Sequence, residues 1–430
     1  MKQTLKVVAV LGFSFVASLA TSQTLPRRAG HPPRIGQKQL PHTPAQFGDP
    51  LPGLTTDQTT NFTVGQAQFQ TPDGIADGLG PIFNAQSCVA CHDQPLTSTG
   101  AVTIGGASAI TETRFGATNA DGTFNPLTSE DGTLLHQSSI VPAAQETVPK
   151  DATIVAHRKT TPLFGAGLIE AIPDSTIMAN VHTTPIDGVV GRVAVLTDAV
   201  TTEIHTNMVG RFGWKCQEST LLAFSGDAYL NEMGVTNRFF TTDFAPDGNE
   251  AVLVATEPDG YTATSLQDLP ENPALPESPT NKDDLARFTD FMELLAPPPP
   301  LPLSREALRG QQLFTQLNCV ACHKPSMQTG PSTVSPSLAF KNVPLYSDLL
   351  LHRMGSLGDG IAQAAARTDE MRTAPLWGLR ERAPYLHDGR AATILEAITL
   401  HDGEALMIRN RFVSLPKDDQ NAIIAFLNSI

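Results

Sequence analysis

Apolar positions in this chain fall into one unbroken run and several periodic stretches. The run comes first. Residues 7–20 are almost all apolar and follow Lys2 and Lys6. Its length, its positive leader and the small residues of Ser18-Leu19-Ala20 and Ala20-Thr21-Ser22 predict a cleaved signal peptide over residues 1–22. The run is too short to span a bilayer comfortably, and no later stretch is apolar enough to do so. The expected product is an exported, periplasmic protein with no membrane span after signal cleavage. Helical spacing is clearest at Leu285, Phe288, Met292 and Leu295, behind Asn281 or Asp283 as cap, and Pro297 to Pro300 stop that helix. Ser304 caps a second helix running through Ala307, Leu308, Leu313 and Phe314. A closing helix carries Ile423, Ile424, Phe426 and Leu427 behind Lys417-Asp418-Asp419, which echoes Lys282-Asp283-Asp284. Val189, Val190, Val193, Val195 and Leu196 predict a strand or two within residues 189–206.

The stretches between are less regular. Residues 23–75 hold many Pro, Gly, Thr and Gln and read as an extended arm over the body. Residues 93–150, rich in Gly, Thr and Ser, read as long loops with short strands. The proline run makes residues 297–303 a stiff linker. The expected organisation is a first domain over residues 76–296 and a second over residues 304–430.

Each of those domains contains the same five residues. Cys88-Val89-Ala90-Cys91-His92 and Cys319-Val320-Ala321-Cys322-His323 both read Cys-x-x-Cys-His, the attachment signature of c-type haem. On a short helix the two thiols lie one turn apart, where they can add to the haem vinyl groups, and the histidine meets the iron from below. A zinc site built from both pairs would close a loop of more than two hundred residues, against about 15–20 in zinc ribbons. Two covalent haem c groups are therefore expected, on Cys88, Cys91 and His92 and on Cys319, Cys322 and His323. A second echo supports internal duplication: Thr160-Thr161-Pro162-Leu163-Phe164-Gly165 matches Thr373-Ala374-Pro375-Leu376-Trp377-Gly378, each downstream of its own haem motif. Phe83 and Phe314 both stand five residues before their first cysteine. An early helix bearing the haem motif and a late helix across it is the cytochrome c plan. The expected fold class is mainly α: two cytochrome c-like domains, the first enlarged by loop and short-strand insertions.

Composition adds limits. The net charge is −14 over 430 residues, which argues against nucleic acid and against an anionic membrane surface. The five cysteines are two pairs plus Cys216, expected to be a buried, inert free thiol.

Together with the haem motifs, Arg211-Phe212-Gly213-Trp214-Lys215, Glu232-Met233-Gly234-Val235-Thr236-Asn237, Tyr346 to His352 and Tyr385-Leu386-His387-Asp388-Gly389-Arg390 give a chain that resembles the bacterial di-haem oxidoreductase family over most of residues 75–430. That family is related more distantly to di-haem cytochrome c peroxidases and to the di-haem enzyme that matures methylamine dehydrogenase. In the peroxidase relatives a Tyr-aromatic-His-x-Gly motif is followed, fourteen residues after its histidine, by the distal ligand of the C-terminal haem. Counting from His387 gives His401. Met354 is the runner-up, and Met371, His352 and His387 are the other candidates; His387 reads better as a hydrogen-bonding residue. Carried to the first unit through the Pro162–Pro375 match, the same positions fall on Asp174 and Gly188, neither a usual haem ligand. His136, His157, His182, His205, Met178, Met208 and Met233 remain open for the first haem.

The resemblance implies a peroxidase-like oxidoreductase. Electrons from a small donor such as a cytochrome or cupredoxin would pass through the C-terminal haem to a catalytic N-terminal haem that meets a small oxidant such as peroxide. Trp214 or Trp377 could lie between the haems, against core packing as the simpler role. The relatives also bind calcium between their domains; no Asp-rich loop of calcium-hand type appears here, so that carry-over is weak. The alternative is a di-haem electron-transfer protein with no substrate of its own, and dioxygen-dependent cleavage of an organic polymer is a minor third reading.

Overall fold

A computed structural model describes residues 46–94, 103–106, 111–130, 132–196, 206–258, 260–262, 264–270, 274 and 281–430. The signal peptide, residues 23–45 of the expected arm and His205 lie outside the described residues. Within the arm, residues 56–70 are not extended. They form helix α1 (Thr56–Gln70), opened by a capping box in which Thr55 accepts from the Gln58 N–H and Gln58 accepts in return. The cap overrides the Thr-rich composition, because Phe62, Gly65 and Phe69 recur at helical spacing and have a partner to bury against.

That partner is a later helix. Further along the chain come α2 (Leu221–Met233), α3 (Glu250–Thr256) and α4 (Asp284–Leu294), the last capped by Asp283. The second half contributes α5 (Arg305–Gln316), capped by Ser304, then α6 (Ile394–Leu400) and α7 (Lys417–Leu427). Helices α1 and α4 cross closely, and so do α5 and α7. Each crossing is made possible by one glycine. A Cβ on Gly65 would lie 2.3 Å from the Arg287 carbonyl oxygen, and one on Gly310 would lie 1.9 Å from that of Ala422. Four residues on from each contact, phenylalanines meet at a steep angle: Phe69 against Phe291 with ring centres 5.0 Å apart, Phe314 against Phe426 at 5.5 Å. The counterpart of Phe314 is thus Phe69 and not Phe83, which lies in a two-residue strand. Counting back from the cysteines misled, because the two early helices stand at different distances from their motifs.

The Pro162–Pro375 echo has the same logic. Gly165 and Gly378 both take left-handed backbone, at φ 70° and 66°, and open short helical turns. Gly165 donates its N–H to Leu295, just past α4, and Gly378 donates to Ile430, just past α7.

The fold is mixed rather than mainly α, with 34% of the described residues helical and 14% in strands. The segments between helices carry few apolar positions at helical spacing and close on themselves as short antiparallel pairs. The longest strand, β1 (Thr111–Thr118), pairs with Phe124–Asn125, with Leu134–Leu135 and, over six residues, with β2 (Ile154–Lys159). The described residues group as one unit. One apolar cluster lies around α5 and α7. The larger one joins Phe62, Phe291 and Met292 to Met327, Leu345, Leu349 and Trp377.

Candidate haem sites

Both Cys-Val-Ala-Cys-His motifs sit on a single tight turn, Cys88–Ala90 and Cys319–Ala321. The His92 N–H reaches back to the Cys88 carbonyl (3.1 Å) and that of His323 to Cys319 (2.9 Å), so each histidine follows its cysteines round the turn. All four thiols are free. Burial pushes Cys91 up to about 11 and Cys319 up to about 12, and both stand as neutral thiols.

The histidines are held in one way. His92 Nδ1 lies 3.0 Å from the Gly106 carbonyl oxygen, His323 Nδ1 3.0 Å from that of Tyr346, and His401 Nδ1 2.7 Å from that of Ala397. A carbonyl can only accept, so Nδ1 carries the proton and Nε2 keeps its lone pair. This is the outer-shell bond typical of a metal-bound imidazole. Burial lowers His92 and His323 to about 4, which keeps both rings neutral. Each ring rests beside the phenylalanine of its helix crossing, His92 by Phe69 and His323 by Phe314.

Each motif opens into a cavity, about 210 Å³ at the first and 220 Å³ at the second. The second contains Met354, Met371, His352, His387 and His401. His401, at the end of α6, faces His323 with ring centres 6.4 Å apart. Two metal–imidazole bonds of about 2 Å each, together with the ring radii, require about 6 Å. His352 has no free lone pair: Nε2 lies 2.9 Å from Asp348 and Nδ1 2.9 Å from Glu404. Burial opposes its charge, yet the Cys322 sulfur and the bonds to Asp348 and Glu404 raise it well above the ordinary histidine range. His387 packs edge-on against Trp214 at 6.2 Å. Its backbone carbonyl accepts from the Lys159 N–H, and burial lowers its ring to about 4.

The first cavity is furnished differently. Of the six open candidates among the described residues only Met233 lines it. His136 pairs with Glu146, His157 meets Thr113, His182 meets the Ala321 carbonyl, Met178 is exposed and Met208 meets Ser219. Asp174 pairs with Arg211 and Gly188 lies against Glu404; neither reaches the cavity. Charged groups line it instead: Glu112, Arg114, Arg158, Asp227 and Glu232. Alternation along β1 puts Glu112 and Arg114 on one face, and the register sets Arg158 of β2 opposite Glu112. Arg114 Nε lies 2.9 Å from Glu112, and Arg158 Nε 2.7 Å from Asp359, which also holds the buried Lys215 at 2.8 Å. Glu232 hydrogen-bonds Glu112. Burial would raise Glu112, but Arg114 and Arg158 outweigh it and hold Glu112 below its ordinary value. At Glu232 burial, then the charge of Glu112, outweighs the Asn84 hydrogen bond and the charge of Arg114 and pushes it up to about 8. Burial also raises Asp227 to about 6. No contiguous stretch of sequence marks this cluster. The one local signal was the alternation in Thr111-Glu112-Thr113-Arg114, and Glu232 stood in a quoted motif without a role.

Trp214 lines both cavities and donates Nε1–H to the Lys159 carbonyl at 2.7 Å. Trp377 lines neither and is core. Cys216 is buried with its sulfur 3.6 Å from the Leu349 carbonyl oxygen, and burial pushes it up to about 12. Among the described residues the one grouping of three candidate metal ligands is Cys322, Asp348 and His352, which is not an oxygen cage.

Residues 135–430 match the family described as "Di-haem oxidoreductase, putative peroxidase". No curated protein matches the chain. Similar solved structures include the hydrazine synthase of Kuenenia stuttgartiensis, at 14% identity over 95% of this chain and 100% of that one, with a TM-score of 0.38. A MauG-like protein associated with microbial copper homeostasis aligns at 15% over 90% and 95%, TM-score 0.38. The dihaem peroxidase BthA of Burkholderia thailandensis aligns at 13% over 89% and 86%, TM-score 0.38.

Proposed function

Because the chain belongs to the di-haem oxidoreductase family, we propose that it is an exported, periplasmic peroxidase-type enzyme with two unequal haem c sites. The carrying observation is the contrast between the cavities: one has a second imidazole facing the first, the other has an acid–arginine cluster instead. Haem bound covalently at each motif would supply redox-active iron, relaying single electrons at the second site and meeting peroxide at the first. His323 and His401 would together hold the second iron, and His92 would hold the first.

The chain's own residues set the proton supply. Reducing hydrogen peroxide to two waters consumes two electrons and two protons. The electrons come from a small donor such as a cytochrome or cupredoxin. Glu232, neutral up to about pH 8, can hold a proton inside the first cavity, and ionised Glu112 can accept it and pass the next. Arg114 and Arg158 keep Glu112 charged. Trp214, bordering both cavities, suits the electron path.

The test uses haem-loaded protein. Its mass should exceed the chain by two haems that survive acid acetone. Its EPR spectrum, oxidised or after one-electron reduction, should contain a high-spin component that binds cyanide, and peroxide should turn over with a reduced donor. Two low-spin haems in every redox state, blind to cyanide, would return the chain to the carrier reading.

A further inference from the structure

Glu232 is held from one side by an amide whose direction the backbone fixes. Asn84 follows the strand Ile82–Phe83, precedes the first haem motif and lies half-buried on the wall of the first cavity. Its Oδ1 lies 2.9 Å from the Gln137 backbone nitrogen and its Nδ2 2.8 Å from Glu232 Oε2. A backbone N–H can only donate, so the end of the amide that faces Gln137 is the oxygen. The end that faces Glu232 is then the NH2 group, and it donates. The main chain repeats the tie: the Asn84 and Ala85 N–H groups donate to the Glu232 carbonyl oxygen at 2.7 and 3.2 Å. The last turn of α2 is thereby fastened to the segment that leads into the haem motif.

The direction of the amide matters because Glu232 and Glu112 hydrogen-bond each other. Two carboxyls can do so only when one carries a proton, and Arg114 and Arg158 make Glu112 the ionised member. Glu232 therefore donates and Glu112 accepts. Because Oε2 already accepts from Asn84, it serves as the carbonyl oxygen, and the hydrogen belongs on Oε1. The bonds then run one way, from the Gln137 N–H to Asn84, from Asn84 to Glu232 and from Glu232 to Glu112. An amide turned the other way would offer Glu232 an acceptor and draw the proton away from Glu112. Arg114, Asp227 and Cys91 are the other titratable groups acting with Glu232, and Arg158 and Lys159 share the cavity wall.

On the reading of Glu232 as the proton holder of the first cavity, we infer that Asn84 is its positioning residue: Nδ2–H occupies Glu232 Oε2 and so places the acidic hydrogen on Oε1, toward Glu112. Asn84 moves no proton itself, since its amide neither gains nor loses one at working pH.

The test uses haem-loaded wild type, Asn84→Ala and Glu232→Gln. Two quantities are read: the pH at which peroxide turnover falls, and the infrared C=O stretch of protonated Glu232, recognised as the band that Glu232→Gln lacks. Asn84→Ala removes a donor that favours the ionised carboxylate, so Glu232 should keep its proton to higher pH. The fall in turnover should move up by about one pH unit, the scale of a hydrogen bond to a charged group. The C=O band should move to higher frequency as the carbonyl oxygen loses its donor. A merely structural Asn84 would change Tm or haem content and leave both readings in place. Should Asn84→Ala fail to load haem, Asn84→Asp keeps the shape and the acceptor for Gln137 but adds a carboxyl that shares the proton, and the fall should move up at least as far. A haem-loaded Asn84 variant with both readings as in the wild type would overturn the inference. If Glu232→Gln itself keeps the fall in turnover, Glu232 is not the proton supply, and the band alone decides the placement: shifted in Asn84→Ala it upholds the role of Asn84, and unshifted it overturns it.

Discussion

The two cavities start from the same parts. Each has a Cys-Val-Ala-Cys-His turn, a histidine with Nδ1 tied to a carbonyl, and a glycine-dependent helix crossing that seats a phenylalanine beside that histidine. They differ in what the chain brings to the rest of the wall. The second receives His401 from the end of α6, facing His323. The first receives β1, β2 and α2, which carry charged side chains. A second imidazole favours a closed coordination shell and electron relay, while acids and arginines favour moving protons beside an open one. On the proposed reading one attachment motif serves two chemistries, and the surrounding elements decide which.

Moving the imidazole gives the largest expected change. His401→Ala should convert the second haem wholly from low to high spin and stop donor-driven turnover, while Met354→Ala should leave the spin state unchanged. Low-temperature EPR distinguishes the two. The reverse pattern would transfer the ligand role to Met354, which lines the same cavity. His401→Met should keep low spin and raise the potential, since thioether favours ferrous iron over imidazole.

Changing the acid cluster is a smaller effect on the other side. Glu232→Gln should slow peroxide turnover by about 100-fold, within the usual span for one acid–base group, and leave both spin states unchanged. The pH dependence has a definite sign. A carboxyl raised to about 8 in the folded protein is protonated below that pH and loses its proton above it. Wild-type turnover should therefore fall as pH rises past about 8, and the variant should lack that limb. Stability moves in the same direction: ionising a buried Glu232 is unfavourable, so stability declines from the ordinary carboxyl range up to about pH 8, and Glu232→Gln should flatten the decline. Turnover unchanged in the variant would remove Glu232 from the proton supply.

What the sequence revealed of this contrast follows from range. The haem motifs, the caps at Ser304 and Asp283, the closing helix and the paired Pro162 and Pro375 segments are written in contiguous residues, and His401 was reached from the resemblance, by counting fourteen residues from His387. Helix α1 was hidden because its buried face is only Phe62, Gly65 and Phe69 among Thr and Gln, and its cap depends on Gln58 reaching back to Thr55. The acid cluster was hidden because its members come from three elements. Glu112 and Arg158 are 46 positions apart and meet only through the β1–β2 register, and a lone charged residue reads by default as solvated surface.

The smallest prediction asks whether the two halves share a frame. Alanine is a better helix former than glycine by about 1 kcal/mol, so Gly65→Ala and Gly310→Ala should stabilise α1 and α5 if each helix stood alone. In the fold the added Cβ meets a backbone oxygen, at 2.3 Å for Gly65 and 1.9 Å for Gly310. A backbone carbonyl in a helix cannot rotate away as a side chain can, so the helices must separate. Separation loosens Phe69 from Phe291, or Phe314 from Phe426, and with it the seat of the adjacent histidine. Overpacking of this kind costs about 1–3 kcal/mol, more than the propensity gain. Both variants should therefore unfold at lower temperature by circular dichroism, Gly310→Ala by the larger margin because its contact is tighter. Each should loosen the haem of its own half first, read from the haem bands during the melt. Variants as stable as the wild type would mean that the crossings tolerate separation, and that the resemblance between the two halves does not extend to how they are held.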